Sequence, residues 1–271
     1  MEKLNWSELS RAMAQSYDPA AHARLLVDSY NASTGDLPHL DCPKCRNKGV
    51  IAQVRGDNSR YFVPCACMKT RDAIARMERS GLKNSIRELT FEKFEARENW
   101  QKQLKAGTMA YAGNPEGWLI LCGQSGCGKT HLCTAICRER LLRGEDVHYM
   151  SWREDITRLK ALRGDDPERE ALLHRLKTAG LLYIDDLFKS GSPDGSLAKP
   201  TAADINLAFE ILNHRYCARL KTIFSTQLQI HELIDIDEAT CGRIVELCGQ
   251  HVYAVREMRE RNYRLRNLMR L

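Results

Sequence analysis

The chain has no apolar run near the ~18–20 residues that cross a bilayer, so no helical membrane span is expected. Its first fifteen residues, MEKLNWSELSRAMAQ, lack the apolar core of a signal peptide. A cytoplasmic location is therefore expected. Charge of one sign is also missing: 41 Lys and Arg against 35 Asp and Glu leave a net charge of +6. That mild basic bias permits contact with nucleic acid without demanding it. A length of 271 residues leaves room for one core of ordinary size and a small accessory module. Hydrophobic content of 43% and charged content of 28% are those of a soluble globular protein. Cysteine is not scarce: there are 11, an odd number. In a reducing compartment these are thiols or metal ligands, not disulfides.

The strongest motif is Gly123-Gln124-Ser125-Gly126-Cys127-Gly128-Lys129-Thr130, which fits G-x-x-x-x-G-K-[ST] throughout. Trp118–Cys122 before it is apolar and of strand length, and Leu132, Ala135 and Ile136 after it repeat at helical spacing. Strand, glycine loop and helix are the context a phosphate-binding loop requires. Glycines let backbone N–H groups turn toward phosphate, and the helix N-terminus adds partial positive charge. Lys129 is expected at the β- and γ-phosphates of ATP, and the Thr130 hydroxyl on Mg²⁺.

Downstream, helix and strand alternate, which predicts an α/β domain with a mostly parallel sheet. Val147–Met150 reads as a strand, with helices over 152–163 and 167–179. Leu181-Leu-Tyr-Ile-Asp185-Asp186 follows, four apolar residues ending in two acids, the Walker B pattern. Asp185 is expected to hold Mg²⁺ through water, and Asp186 to act as general base on the attacking water. Residues 188–200 read as a loop and 201–219 as a helix buried along Leu207, Ile211 and Leu212. Thr222–Gln227 is a strand whose polar end lies where a parallel sheet presents groups to a ligand. Gln227 or Thr226 then meets the γ-phosphate or the water, unless these are only polar caps of the strand. Short helices are expected at 230–233 and 239–247, and a last strand at 251–255. An arginine-rich end carries Arg256, Arg259, Arg261, Arg264, Arg266 and Arg270, as a solvated face or a phosphate contact.

The N-terminal third differs. Leu4, Leu9 and Met13 suit one helix face, with Trp6 and Tyr17 as packing residues, and 20–30 reads as a second helix. Cys42-Pro-Lys-Cys45 and Cys65-Ala-Cys67 are paired-cysteine knuckles that fit one tetrahedral zinc site. Between them, 50–54 and 60–63 read as a short hairpin, and a basic helix over 68–80 follows. The alternative is four free thiols, but so short a segment has little core without a metal. A catalytic dithiol lacks its βαβ context. Four thiolates leave no open position, so this zinc is structural.

The order Cys₄ knuckle, TFEKF, GQSGCGKTHL, LLYIDDL, NHRY, TIFSTQL, GRI, NYRLR resembles the DnaC/DnaI-like replicative helicase loaders, particularly phage-encoded ones. These share an AAA+ ATPase core with IstB-type transposition helpers. The resemblance covers about residues 40–266 and implies a loader that places a ring-shaped replicative helicase on single-stranded DNA under ATP control. It implies a helicase-docking N-terminal module and assembly as a homo-oligomer when ATP is bound. It puts Gln227 at the sensor-1 position, Arg243 at the arginine-finger position acting on a neighbour's ATP, and Arg264 at sensor 2. Two departures stand out. Asp186 replaces the usual Glu, so the base is a methylene shorter and hydrolysis is expected to be slow. Little chain follows residue 255, so the helical lid is absent or vestigial. The implied organisation is a helical and zinc-binding module over 1–80 (knuckle 42–67), a lead-in over 81–117, and the ATPase domain over 118–271. Two other readings compete. One is an IstB-like helper that coats duplex DNA and recruits a transposase. The other is a nucleotide-gated adaptor with little turnover.

Overall fold

A computed structural model of the chain describes residues 18–38, 41–79, 81–82, 85–162, 166–191, 197–258 and 261–265. The helix expected through Leu4, Leu9 and Met13 lies outside them, as do Trp6, Tyr17, Arg259, Arg266 and Arg270. The described residues form two compact units, divided after Ile74.

In the first unit, helix α1 (Pro19–Ala32) starts where Asp18 accepts a hydrogen bond from the Ala20 amide at 2.8 Å, with proline in the first turn. Near its end Asn31 both donates to the Ala52 carbonyl and accepts from the Ala52 amide, each at 3.0 Å. That pair fastens α1 to β1 (Val50–Val54), which pairs antiparallel with β2 (Arg60–Pro64). Helix α2 (Cys67–Arg79) begins on the last knuckle cysteine.

The second unit runs α3 (Ser85–Glu88), α4 (Asn99–Gly113), β3 (Trp118–Gly123), α5 (Lys129–Leu142), β4 (Val147–Ser151), α6 (Trp152–Ala161), α7 (Pro167–Thr178) and β5 (Leu181–Asp185). A minimal antiparallel pair, β6 (Ser190–Gly191) with β7 (Leu197–Ala198), follows where a loop was expected. Then come α8 (Ala202–Cys217), β8 (Lys221–Thr226), α9 (Ile230–Ile236), α10 (Glu238–Cys248), β9 (Val252–Val255) and a 3₁₀ turn (Tyr263–Leu265). The helix expected over 152–163 stops at Ala161.

Five strands make one parallel sheet in the order β4-β5-β8-β3-β9. Strand alternation divides the core between its faces. Trp118, Ile120 and Cys122 pack with Trp152, Leu176, Ile211 and Ile244 on one face. Leu119 and Leu121 pack with Leu104, Tyr111, Leu132 and Ile136 on the other. Both faces are covered, which is why β3 and β5 read as nearly continuous apolar runs. The C-terminal ends of β3, β5 and β8 meet at one edge of the sheet, and the candidate site lies there.

Candidate functional site

The loop after β3 turns through Gly123, Gly126 and Gly128 at φ 131°, 79° and 97°. Packing as well as φ demands glycine here. A Cβ on Gly126 would lie 2.0 Å from Asn262 Oδ1, and one on Gly128 2.6 Å from Phe94 Cε2. Gly128 caps α5, whose first-turn N–H groups have no intrahelical partner and face a cavity of about 720 Å³. Ser125, Gly126, Cys127, Gly128, Lys129 and Thr130 line that cavity. Gly123 and Gln124 contribute differently: their carbonyls accept from Lys129 Nζ at 2.5 and 2.8 Å. The buried lysine is thus folded back on its own loop.

Across the cavity stand the two acids. Asp185 Oδ1 accepts from Thr130 Oγ1 at 3.1 Å, from the Tyr183 hydroxyl at 2.7 Å and from Ser225 Oγ, while Oδ2 accepts from the Tyr149 hydroxyl at 3.2 Å. Burial raises both tyrosine hydroxyls above their usual range, so they stay protonated donors at every working pH. The Thr130 hydroxyl beside the Asp185 carboxylate is a hard oxygen pair of the kind that holds Mg²⁺. Asp186 falls just outside β5, with φ 55°. Its amide donates to Ser225 Oγ at 3.1 Å, and its Oδ2 meets Lys189 Nζ at 2.7 Å. Of the two polar candidates at the end of β8, Gln227 lines the cavity. Thr226 is buried, its hydroxyl donating to the Leu187 carbonyl at 2.9 Å.

Arg264 lies at the same loop, its Nη1 3.4 Å from Ser125 Oγ. It belongs to a C-terminal strap that crosses the loop. Met258 N donates to Gln124 Oε1 at 2.6 Å, Tyr263 N to the Gly126 carbonyl at 3.0 Å, and Arg261 stacks 5.1 Å from the Trp100 ring. Among the described residues no α-helix follows β9. Arg243 is elsewhere. It sits on α10, with Nη1 donating to the Ala239 carbonyl at 2.8 Å, and its guanidinium 5.0 and 5.7 Å from the Phe209 and Tyr216 rings. It does not reach the cavity of its own chain.

Sequence reasoning missed the residues that hold Asp185. Tyr183 had a signal: two residues before Asp185 on one strand, it faces the same way. Tyr149 and Ser225 come from the flanking strands β4 and β8, and only the strand order brings them in. The TFEKF segment also reaches the site, which its composition does not show: Phe94 lines the cavity and Thr90 O lies 2.7 Å from His131 Nε2.

In the first unit Cys42, Cys45, Cys65 and Cys67 are buried together, with all four sulfurs within 4.8 Å of one another. Cys42 and Cys65 are 3.8 Å apart and Cys45 and Cys67 3.5 Å. Zn–S bonds of ~2.3 Å in a tetrahedron set sulfurs ~3.8 Å apart, so this donor set fits zinc. Arg46, Asn47 and Gly49, with φ of 48°, 63° and 78°, make the knuckle turn, and Gly49 N donates to Cys45 Sγ at 3.3 Å. Burial opposes ionisation of Cys45, but the Gly49 amide and neighbouring thiols outweigh it and lower it to about 6. Burial pushes Cys67 up to about 12.

Comparison with known proteins agrees with this geometry. Residues 66–268 match the family described as IstB-like ATP binding protein. The phage-like element PBSX protein XkdC of Bacillus subtilis (strain 168) is 31% identical over 269 residues, covering 94% of this chain and 97% of that protein. The replicative helicase loader DnaC of Escherichia coli (strain K12) is 28% identical over 130 residues, 45% of this chain and 53% of DnaC. The crystal structure of the DnaC helicase loader superposes with a TM-score of 0.53 at 21% identity, covering 64% of this chain and 99% of that one. The fold is the AAA+ P-loop fold, and no described helix is long and apolar enough to cross a membrane. With three quarters of its length inside the matched region, the chain belongs to the IstB-like ATP-binding protein family.

Proposed function

We propose that this chain is an ATPase that binds a hexameric replicative helicase and helps place it on single-stranded DNA. The observation that carries the ATPase reading is the convergence of Lys129, Thr130, Asp185, Asp186, Gln227 and Arg264 on one cavity. ATP phosphates would lie on the free N–H groups of the loop and of α5. Lys129 then exchanges the Gly123 and Gln124 carbonyls for β- and γ-phosphate oxygens. Thr130 and Asp185 would hold Mg²⁺, which would supply charge neutralisation at the phosphates. Asp186 takes a proton from the water that attacks the γ-phosphorus, the bond to the bridging β-oxygen breaks, and ADP and phosphate leave. Gln227 orients the water or the γ-phosphate, and Arg264 faces the phosphates from the strap. Arg243 acts on the ATP of a neighbouring copy, in keeping with its distance from its own cavity.

The loader reading rests on the likeness to a protein named as a replicative helicase loader and on the Cys₄ unit. That unit holds one structural zinc and is the docking module for the helicase. The family match keeps an IstB-like transposition role as the second reading.

Co-purification of the tagged full chain with a replicative helicase, in ATP and single-stranded DNA, tests the loader reading. The ring is expected with wild type and lost with Lys129→Ala, which binds no ATP. Asp186→Asn should keep ATP and stop turnover. A wild-type chain that binds ATP and recovers a transposase instead of a helicase ring would establish the second reading.

A further inference from the structure

Lys189 has no part in the roles above, yet it touches the residue assigned as the base. Its amide donates to the Asp186 carbonyl at 2.9 Å, and its Nζ lies 2.7 Å from Asp186 Oδ2. The turn that brings them together is firmly held. Asp186 and Phe188 both sit in the left-handed region, at φ 55° and 60°, which side-chain-bearing residues seldom adopt. Ser225 and Thr226 hold Asp186 and the intervening Leu187: Ser225 Oγ accepts from Asp186 N at 3.1 Å, Ser225 O from Leu187 N at 2.9 Å, and Thr226 Oγ1 donates to Leu187 O at 2.9 Å. Strain that persists because its surroundings dictate it is commonest where it serves function. Here it points the Asp186 carboxylate at an ammonium. The Oδ2 lone pairs that meet Lys189 cannot at the same time take a proton from water.

Lys189 also has a second place to go. It lines the nucleotide cavity and an adjoining groove of about 450 Å³, and Gln227 is shared between the two as well. The groove is apolar along Leu187, Phe188 and Leu228 but contains two carboxylates, Glu232 and Asp235. Glu232 is committed to the Gln229 amide at 2.7 Å as part of the α9 cap. Asp235, exposed on α9, is the other carboxylate that lines the groove with Lys189.

We propose that Lys189 is a positioning residue that restrains Asp186. Paired with Asp186 it holds turnover low; swung into the groove toward Asp235 it releases the base. This inference rests on the ATPase reading. It adds an occupied base to the short one as a reason to expect slow hydrolysis.

The test is steady-state ATP hydrolysis by the full chain, with ATP affinity measured separately on a fluorescent ATP analogue. Lys189→Ala should raise kcat roughly tenfold, a part of the ~10²–10⁴ that a positioned base supplies, with KM and affinity changed less than about twofold. Lys189→Arg should return turnover to the wild-type level, and Asp186→Asn should abolish the gain. Asp235→Asn should lower kcat in the wild-type background and leave the Lys189→Ala chain unaffected. An unchanged or lowered kcat in a folded Lys189→Ala chain of normal ATP affinity would overturn the proposal, a lowered one marking Lys189 as a phosphate ligand. If Lys189→Ala fails to fold, Lys189→Gln carries the same expectations, and an Asp235→Asn chain as active as wild type counts against them. Absence of ATP binding by the wild-type chain is a different result: it removes the ATPase reading itself.

Discussion

Arg215 on α8 is fully buried and, among the described residues, has no acid partner within hydrogen-bond reach. Instead its guanidinium is spread over oxygens: Nε donates to Thr222 Oγ1 at 3.0 Å, and Nη1 to the carbonyls of Leu176, Lys177 and Ala179 at 3.1, 3.2 and 2.9 Å. Nη2 donates to the Lys221 carbonyl at 2.5 Å. It thus satisfies the C-terminal carbonyls of α7 and ties them to the start of β8, where the helix dipole also favours a cation. Burial pulls its pKa down to about 9, with Tyr111 and Asp146 opposing, so it stays charged at neutral pH. A lowering from 12.5 to about 9 corresponds to roughly 5 kcal/mol of desolvation. The four N–H groups engaged, shared over five oxygens and worth about 1.5–3 kcal/mol each, exceed that cost. Arg215→Met keeps the length and removes both charge and donors. The desolvation is relieved, but buried carbonyls are left without a donor, at about 1–3 kcal/mol each. A net loss of roughly 2–4 kcal/mol is expected in urea unfolding, with unchanged m-value. The substitution Arg215→Lys should cost nearly as much, because an ammonium cannot span the fork. ATP affinity of the folded variants should match wild type, since the site lies at the other end of β8. Arg215→Met as stable as wild type, or more so, would show that desolvation dominates and refute the reasoning.

Protein purified without chelator should carry one zinc per chain by elemental analysis. Its removal should unfold residues 40–70, lose helicase binding, and spare ATP binding, since the ATPase unit has its own core. Arg243→Ala should keep ATP binding and lose most hydrolysis, and mixing with Lys129→Ala subunits should restore part of it. Activity that is independent of protein concentration and indifferent to Arg243→Ala would mean the chain works alone. His148 on β4 is lowered to about 4, chiefly by burial and then by Arg175. The unfolded chain therefore binds this proton first, and stability falls as pH drops from ~6.5 toward 4, by about 2 kcal/mol at pH 5. His148→Leu should flatten that part of the acid limb in unfolding measurements at pH 5 to 7, and an unchanged slope would assign the limb to other groups.

The parts of the site that one stretch of chain builds by itself were legible in the sequence. The phosphate loop needs glycines, a lysine and a hydroxyl in fixed order, and the acids of 185–186 need only an apolar strand before them. The paired knuckles showed their cysteine cluster in the same way, because each Cys pair is made by one turn. The parallel sheet was legible from alternation, but its order was not: nothing local says that β8 lies between β5 and β3. That one fact brings Ser225 onto Asp185 and under the Asp186 amide, and so decides how both acids are held. The strap was hidden for the same reason. Its hydrogen bonds to Gln124 and Gly126 join residues more than a hundred positions apart. Arg264 could be placed from the family pattern, but not the clash that requires Gly126 beneath Asn262. Lys189 looked like part of a polar loop. Only the left-handed turn at Asp186 and Phe188, unexpected for non-glycine residues, swings it onto the Asp186 carboxylate. Where a local preference is overridden, the override comes from contacts distant in sequence, and here those contacts lie around the two acids, Asp185 and Asp186.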